Sequence, residues 1–144
     1  MKDNSNTLLY AAFCGTGKTY ICNQKIINAI EIEYWKYKDK GLQKKYIMDI
    51  KKQIGRVDCI FLSTDPEGLK LLQKHGFKIT LIYPDNNLRN EYLDRYIERD
   101  SPYDFIGTFM KHWNIWINEL KKQNYCEHII LKSGEYLTDV ISIN

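Results

Sequence analysis

The run from Thr7 to Phe13 (TLLYAAF) is apolar along almost its whole length. The turn Cys14-Gly15-Thr16-Gly17 follows it and leads directly into a helical pattern that begins at Lys18-Thr19. A strand that is apolar on both of its faces must be covered on both, as happens in a parallel sheet with helices on either side. The turn makes its own demand. Gly15 and Gly17 permit the backbone angles at which successive N–H groups point at one anion. The helix opening near Lys18 adds the positive end of its dipole. Residues Ala12 to Thr19 follow the pattern G-x-x-x-x-G-K-[ST], with alanine in place of the first glycine. In that pattern Cys14, Gly15, Thr16, Gly17, Lys18 and Thr19 form a phosphate cradle. Lys18 reaches the β- and γ-phosphates, and the Thr19 hydroxyl holds Mg²⁺. The alternative is a glycine-rich strand-to-helix turn carrying a chance Gly-Lys-Thr.

Apolar runs and helical patterns alternate along the rest of the chain. Strands are expected at Ala29 to Glu33, Val57 to Leu62, Phe77 to Tyr83 and His128 to Leu131. Helices are expected at about 18–27, 42–54, 67–75, 87–99 and 103–122, with a short one at 135–141. Asp65 and Pro66 have the residue types of an N-cap and first helical position. The 144 residues are 44% hydrophobic, which suits one domain with one core spanning residues 1–144. The fold class expected is α/β, a three-layer α/β/α arrangement on a mostly parallel sheet, with ligands at the carboxyl ends of the strands.

Charge weighs against some partners. The formal net charge of +3 does not argue for a nucleic-acid coat or a membrane surface, and it leaves room for a local basic pocket that handles phosphates. The polar N-terminal residues Met1 to Asn6 do not read as a signal peptide, and no stretch approaches the ~20 apolar residues of a membrane span. The expected location is the cytoplasm, or a host cytoplasm if the gene is viral. Cys14, Cys22, Cys59 and Cys126 lack metal-ligand spacing and are expected as free thiols.

Two regions are candidates for work beside the phosphate loop. Glu31 and Glu33 share one face at the carboxyl end of the second strand, where a carboxylate can bind, orient or deprotonate an acceptor. Glu33, nearer the strand end, is the stronger candidate. A solvent-facing alternation is the other explanation. Arg89, Arg95 and Arg99 lie on the polar helix after Tyr83-Pro84, and the last two share a face. Guanidinium groups there can clamp the charge of a transferring phosphoryl group. Pairing with Glu91 and Asp94 is the alternative.

The remaining features read as structural. Phe105, Phe109, Trp113, Trp116 and Leu120 form a stripe at helical spacing, expected as core packing. His112 is expected at the surface or as a capped polar group. Lys36, Lys38, Lys40, Lys44 and Lys45 flank Trp35 and Tyr37 in what is expected to be a solvated loop; a nucleic-acid site or a cover for the acceptor pocket are alternatives. The Val57 to Leu62 strand carries its acidic residue, Asp58, at the wrong end for the Mg²⁺ carboxylate of motors and switches, and no N-K-x-D guanine motif occurs. Asp65 falls just beyond Ser63-Thr64 and is a distant helper at most. These absences favour phosphoryl transfer to an acceptor.

The combination AFCGTGKTYI, IEIEYW, IFLSTD and LIYPDNNLRNEYLDRYIERD, followed by F-x-x-x-F-x-x-x-W-x-x-W-I-x-x-L, resembles small phage and bacterial P-loop proteins. These are grouped with adenylate kinase-like or deoxynucleoside monophosphate kinase-like proteins. The resemblance covers nearly the whole chain and is most specific in Tyr-Pro-Asp and Glu-Tyr-x-x-Arg-Tyr-x-x-Arg. It implies a five-stranded sheet of order 2-3-1-4-5 and a mobile arginine-bearing lid at about 85–104. It also implies ATP–Mg²⁺ on Gly15, Gly17, Lys18 and Thr19, with Arg89, Arg95 and Arg99 on the phosphates. The activity implied is transfer of the ATP γ-phosphate to a (deoxy)nucleoside monophosphate or related small nucleotide. A nucleic-acid acceptor and a non-catalytic ATP-binding module are the other readings.

Overall fold

The computed structural model describes residues 7–25 and 27–141. Five strands, β1 (Leu8–Ala12), β2 (Ala29–Ile32), β3 (Cys59–Leu62), β4 (Thr80–Pro84) and β5 (Glu127–Leu131), form one sheet. Every pairing is parallel and the order is β2-β3-β1-β4-β5. The helices are α1 (Lys18–Gln24), α2 (Trp35–Lys38), α3 (Gln43–Gln53), α4 (Pro66–Lys74), α5 (Arg89–Glu98), α6 (Tyr103–Lys121) and α7 (Leu137–Val140). The architecture is therefore α/β, as the alternation of patterns requires.

The central strand shows why the sheet is buried on both sides. Leu9, Ala11 and Phe13 pack into one cluster with Tyr46 of α3, Leu72 of α4, Tyr92 of α5 and Trp113 of α6. Tyr10 and Ala12 join the other cluster with Ile21 of α1 and Leu137 of α7. Successive side chains point to opposite faces, so one apolar run feeds both layers. The edge strands β2 and β5 are only partly buried. Among the described residues no helix is long and apolar enough to cross a membrane. All four cysteines are free thiols.

Several boundaries move for local reasons. The first helix stops at Gln24 rather than near Ile27, because Lys25 turns left-handed at φ 55°; Ile26 lies outside the described residues, as do Met1 to Asn6. The third strand starts at Cys59 rather than Val57, since Asp58 is tied to the Asn28 backbone through both its N–H and its carboxylate. The fourth starts at Thr80, because the Phe77 N–H instead closes the end of α4 on the Leu72 carbonyl. Asp65 caps α4 by accepting from the Glu67 N–H at 3.0 Å, with Pro66 in the first turn.

The basic stretch expected as a solvated loop contains the one-turn helix α2. Its residue types do not announce a helix; its side chains anchor one. Tyr34 is buried against Tyr46, Tyr37 donates to Asp49 at 2.8 Å, and Lys38 lies 3.6 Å from Asp65.

Candidate functional site at the phosphate loop

The loop between β1 and α1 is held from inside and from outside. Inside, the buried Thr16 hydroxyl donates to the Phe13 carbonyl at 2.7 Å and closes the turn. Gly15 and Gly17 have φ of 89° and 107°, the left-handed region that side chains resist. A Cβ at Gly15 would also stand 2.8 Å from the Tyr96 ring, so the tyrosine can press on the loop only because glycine is there. Ala12 needs no such freedom. It is paired in β1 with Ile82 and its methyl group is fully buried in the core, which explains why alanine serves at that position.

Outside, α5 and the loop after β5 strap the turn in place. The Tyr96 hydroxyl donates to the Cys14 carbonyl at 2.9 Å, and Arg95 Nη1 to the Gly15 carbonyl at 2.8 Å. Arg95 Nη2 donates to the Glu135 carbonyl and to Glu91, while its guanidinium lies between the Tyr92 and Tyr136 rings. Glu91 in turn accepts from the Ser133 hydroxyl at 2.6 Å and the Gly134 N–H at 2.9 Å. Those two bonds, with the Arg95 charge behind them, hold the Glu91 carboxyl below its ordinary pKa. The Leu137 N–H closes the circuit on the Thr16 carbonyl at 3.0 Å.

Facing the loop is the end of β2. Lys18 Nζ lies 3.2 Å from Glu33 Oε1, and the Thr19 hydroxyl donates to Glu31 Oε1 at 2.7 Å. The two P-loop side chains expected on phosphate and metal are thus each matched to one of the two predicted carboxylates. Burial raises the pKa of Glu31 and the neighbouring Glu33 adds to it, against the opposing pull of Thr19. No side chain caps α1, and its first residues Lys18 and Thr19 line a cavity.

That cavity has a volume of about 1340 Å³, large for a single ligand. It runs from the phosphate loop past Glu31 and Glu33, over the β3–α4 turn, and between α4 and α6.

The three arginines part company here. Arg99 donates to Cys14 Sγ at 2.9 Å and to Ser101, so it stands at the loop. Arg95 also reaches the loop, but as a strut buried under it. Arg89 donates twice to the Met110 carbonyl on α6 and does not line the cavity. The segment expected as a mobile lid contributes Tyr92 and Tyr96 to the core.

The aromatic stripe also divides, which corrects the expectation that all of it is core. Trp113 and Leu120 are buried and Phe105, Phe109 and Trp116 only partly buried, and all of these but Trp113 line the cavity. His112 stacks on Trp116 at 5.1 Å and contacts the Thr108 carbonyl of its own helix.

Sequence reasoning offered Glu91 as a partner for the arginines, which it is for Arg95, but assigned no role to Tyr96 or to the Ser133–Tyr136 turn. The signal for the last was available: every loop leaving the carboxyl end of a parallel strand opens on the ligand side. Compared with known proteins, the chain matches no family model and no curated protein.

Proposed function

We propose that this chain is a P-loop phosphotransferase of the nucleoside-phosphate-kinase type, which transfers the γ-phosphate of ATP–Mg²⁺ to a small acceptor. The observation that carries the reading is the double pairing Lys18–Glu33 and Thr19–Glu31 at the mouth of a glycine cradle. A structural turn has no need for its lysine and threonine to face two carboxylates across an open cavity.

The residues fit the groups this function requires. Gly15 and Gly17 let the loop backbone approach phosphate oxygens, and Lys18 is placed to neutralise the β- and γ-phosphates. The Thr19 hydroxyl would hold Mg²⁺, which when bound neutralises charge on the β- and γ-oxygens. Arg99, at the loop edge on Cys14, is the arginine positioned to meet charge that develops during transfer. Glu31 and Glu33 orient the acceptor and take its proton. The sheet order β2-β3-β1-β4-β5 supports the kinase-type fold that the sequence resemblance implies. The same resemblance suggests a nucleoside monophosphate or related small nucleotide as the acceptor.

The test is release of ADP from ATP with and without candidate acceptors, alongside transfer of labelled γ-phosphate. Acceptor-dependent ADP release supports the reading. Label moving onto oligonucleotides would favour a nucleic-acid acceptor, and tight ATP binding with no transfer to any acceptor would make the protein a binding module.

A further inference from the structure

We propose that the acceptor is an uncharged compound with a free hydroxyl and a planar apolar body, a nucleoside rather than a nucleotide, seated between α4 and α6. This rests on the phosphotransferase reading and departs from the monophosphate acceptor that the sequence resemblance implies.

The first argument is charge. A monophosphate acceptor brings a dianionic group that proteins grip with bidentate arginine. The cations lining the cavity are Lys18, Lys70, Arg95 and Arg99. Lys18 belongs to the donor cradle and faces Glu33 at 3.2 Å. Arg95 is consumed by the Gly15 and Glu135 carbonyls and by Glu91. Arg99 stands on the donor loop at Cys14. Lys70 is exposed, about one turn into α4. Against these cations the same lining carries Glu31, Glu33, Asp65, Glu98 and Glu119. A second phosphate on the acceptor side would meet carboxylates without an arginine of its own.

The second argument is the wall. Between α4 and α6 the cavity is bounded by Leu69, Phe109, Trp116 and Leu120, a surface suited to the face of a ring. Phe109 and Trp116 meet edge to face at 5.0 Å, which gives that wall a fixed shape. Gln73 and Gln123 bring neutral amides that both donate and accept, the chemistry that reads an uncharged base edge.

The third is the fit to the reaction. A hydroxyl oxygen of the acceptor forms the new bond to the γ-phosphorus as the bond to the bridging oxygen of ADP breaks. The hydroxyl proton passes to the Glu31–Glu33 pair. The product is a monophosphate, which the same carboxylates repel toward solvent.

The experiment compares kcat/KM of the full chain, with Mg²⁺ and ATP, for a panel of ribo- and deoxynucleosides and for their matching 5′-monophosphates. The expected result is at least one nucleoside used about tenfold better than its monophosphate. Trp116→Ala is expected to raise the KM for that nucleoside about tenfold and to leave the KM for ATP within about twofold. Lys70→Ala is expected to change neither. Turnover of monophosphates in preference to nucleosides would overturn the proposal and leave the phosphotransferase intact. A tenfold rise in acceptor KM on Lys70→Ala would also overturn it. No turnover with either class would overturn both.

Discussion

The two sides of the cavity are built on different plans. On the donor side, the turn from Phe13 to Gly17 is closed by its own Thr16 hydroxyl. It is strapped from α5 by Arg95 and Tyr96, and from the start of α7 by the Leu137 N–H. On the proposed acceptor side, Glu31 and Glu33 meet the loop, among the described residues, through the Lys18 and Thr19 side chains, beside an exposed Trp35. The difference is instructive. A cradle must offer its N–H groups in a fixed array, because electrostatic stabilisation depends on dipoles already in place. Under the proposed function the acceptor edge would instead release Lys18 and Thr19 to incoming phosphate and metal.

The largest effect that would break this contrast is expected at Lys18. Lys18→Ala should lower acceptor-dependent turnover by a factor on the order of 10² to 10³, the usual cost of one lost charge-stabilising group. The far-UV circular dichroism should not change, because the Lys18–Glu33 pair is not part of the fold's core.

The arginines come next and separate strut from surface. Arg95→Ala should cost about 3 kcal/mol of stability, as expected when one partner of a buried, hydrogen-bonded charge is removed. It should weaken ATP binding along with stability, because the loop loses its brace. Arg89→Ala removes a bond from the exposed face of α5 and should cost about 1 kcal/mol or less, with turnover unchanged. Denaturant titration and ADP release measured on both variants check the pair together.

Spacing alone makes the three arginines look equivalent. It can place Arg95 and Arg99 on one helical face, but it cannot say that the Gly15 and Glu135 carbonyls, far away in the chain, will consume one of them. The strand, glycine turn and helix from Leu8 to Gln24 and the parallel sheet were legible, because apolar runs and glycines act through their immediate neighbours. Strand order rested on the resemblance rather than on any periodicity. The stripe on α6 shows the same boundary. A period of 3.6 identifies Phe109, Trp113 and Trp116 as one broad face, and only tertiary packing decides that Trp113 is sealed while its neighbours edge a cavity.

Acidification should separate the two sides by sign. Glu91 is held below its ordinary pKa, so its contribution is present above the usual carboxylate range and lost as pH falls through the folded-state value. Glu91→Gln should remove that part of the acid dependence and lower stability at neutral pH. Glu31 is raised, so it favours the folded state when protonated and that contribution is lost as pH rises through its folded value. Glu31→Gln should therefore make the ligand-free protein slightly more stable at neutral pH. Chemical denaturation across pH reads both slopes, and parallel slopes for the two variants would contradict the account.

A small gain in stability is expected in the core beside Tyr34. The Tyr46 hydroxyl is buried with no hydrogen-bond partner among the described residues. Tyr46→Phe should stabilise the fold by about 1 kcal/mol, since it removes a desolvated group without opening a cavity. Thermal unfolding checks it.

The most direct test of the central claim is a crystal structure with Mg²⁺ and a non-hydrolysable ATP analogue. The account predicts the β- and γ-phosphates over Gly15 to Thr19, with Lys18 turned from Glu33 onto the phosphates and Arg95 still on the Gly15 carbonyl. A nucleotide bound elsewhere, or one bound with the Lys18–Glu33 pair intact, would contradict it.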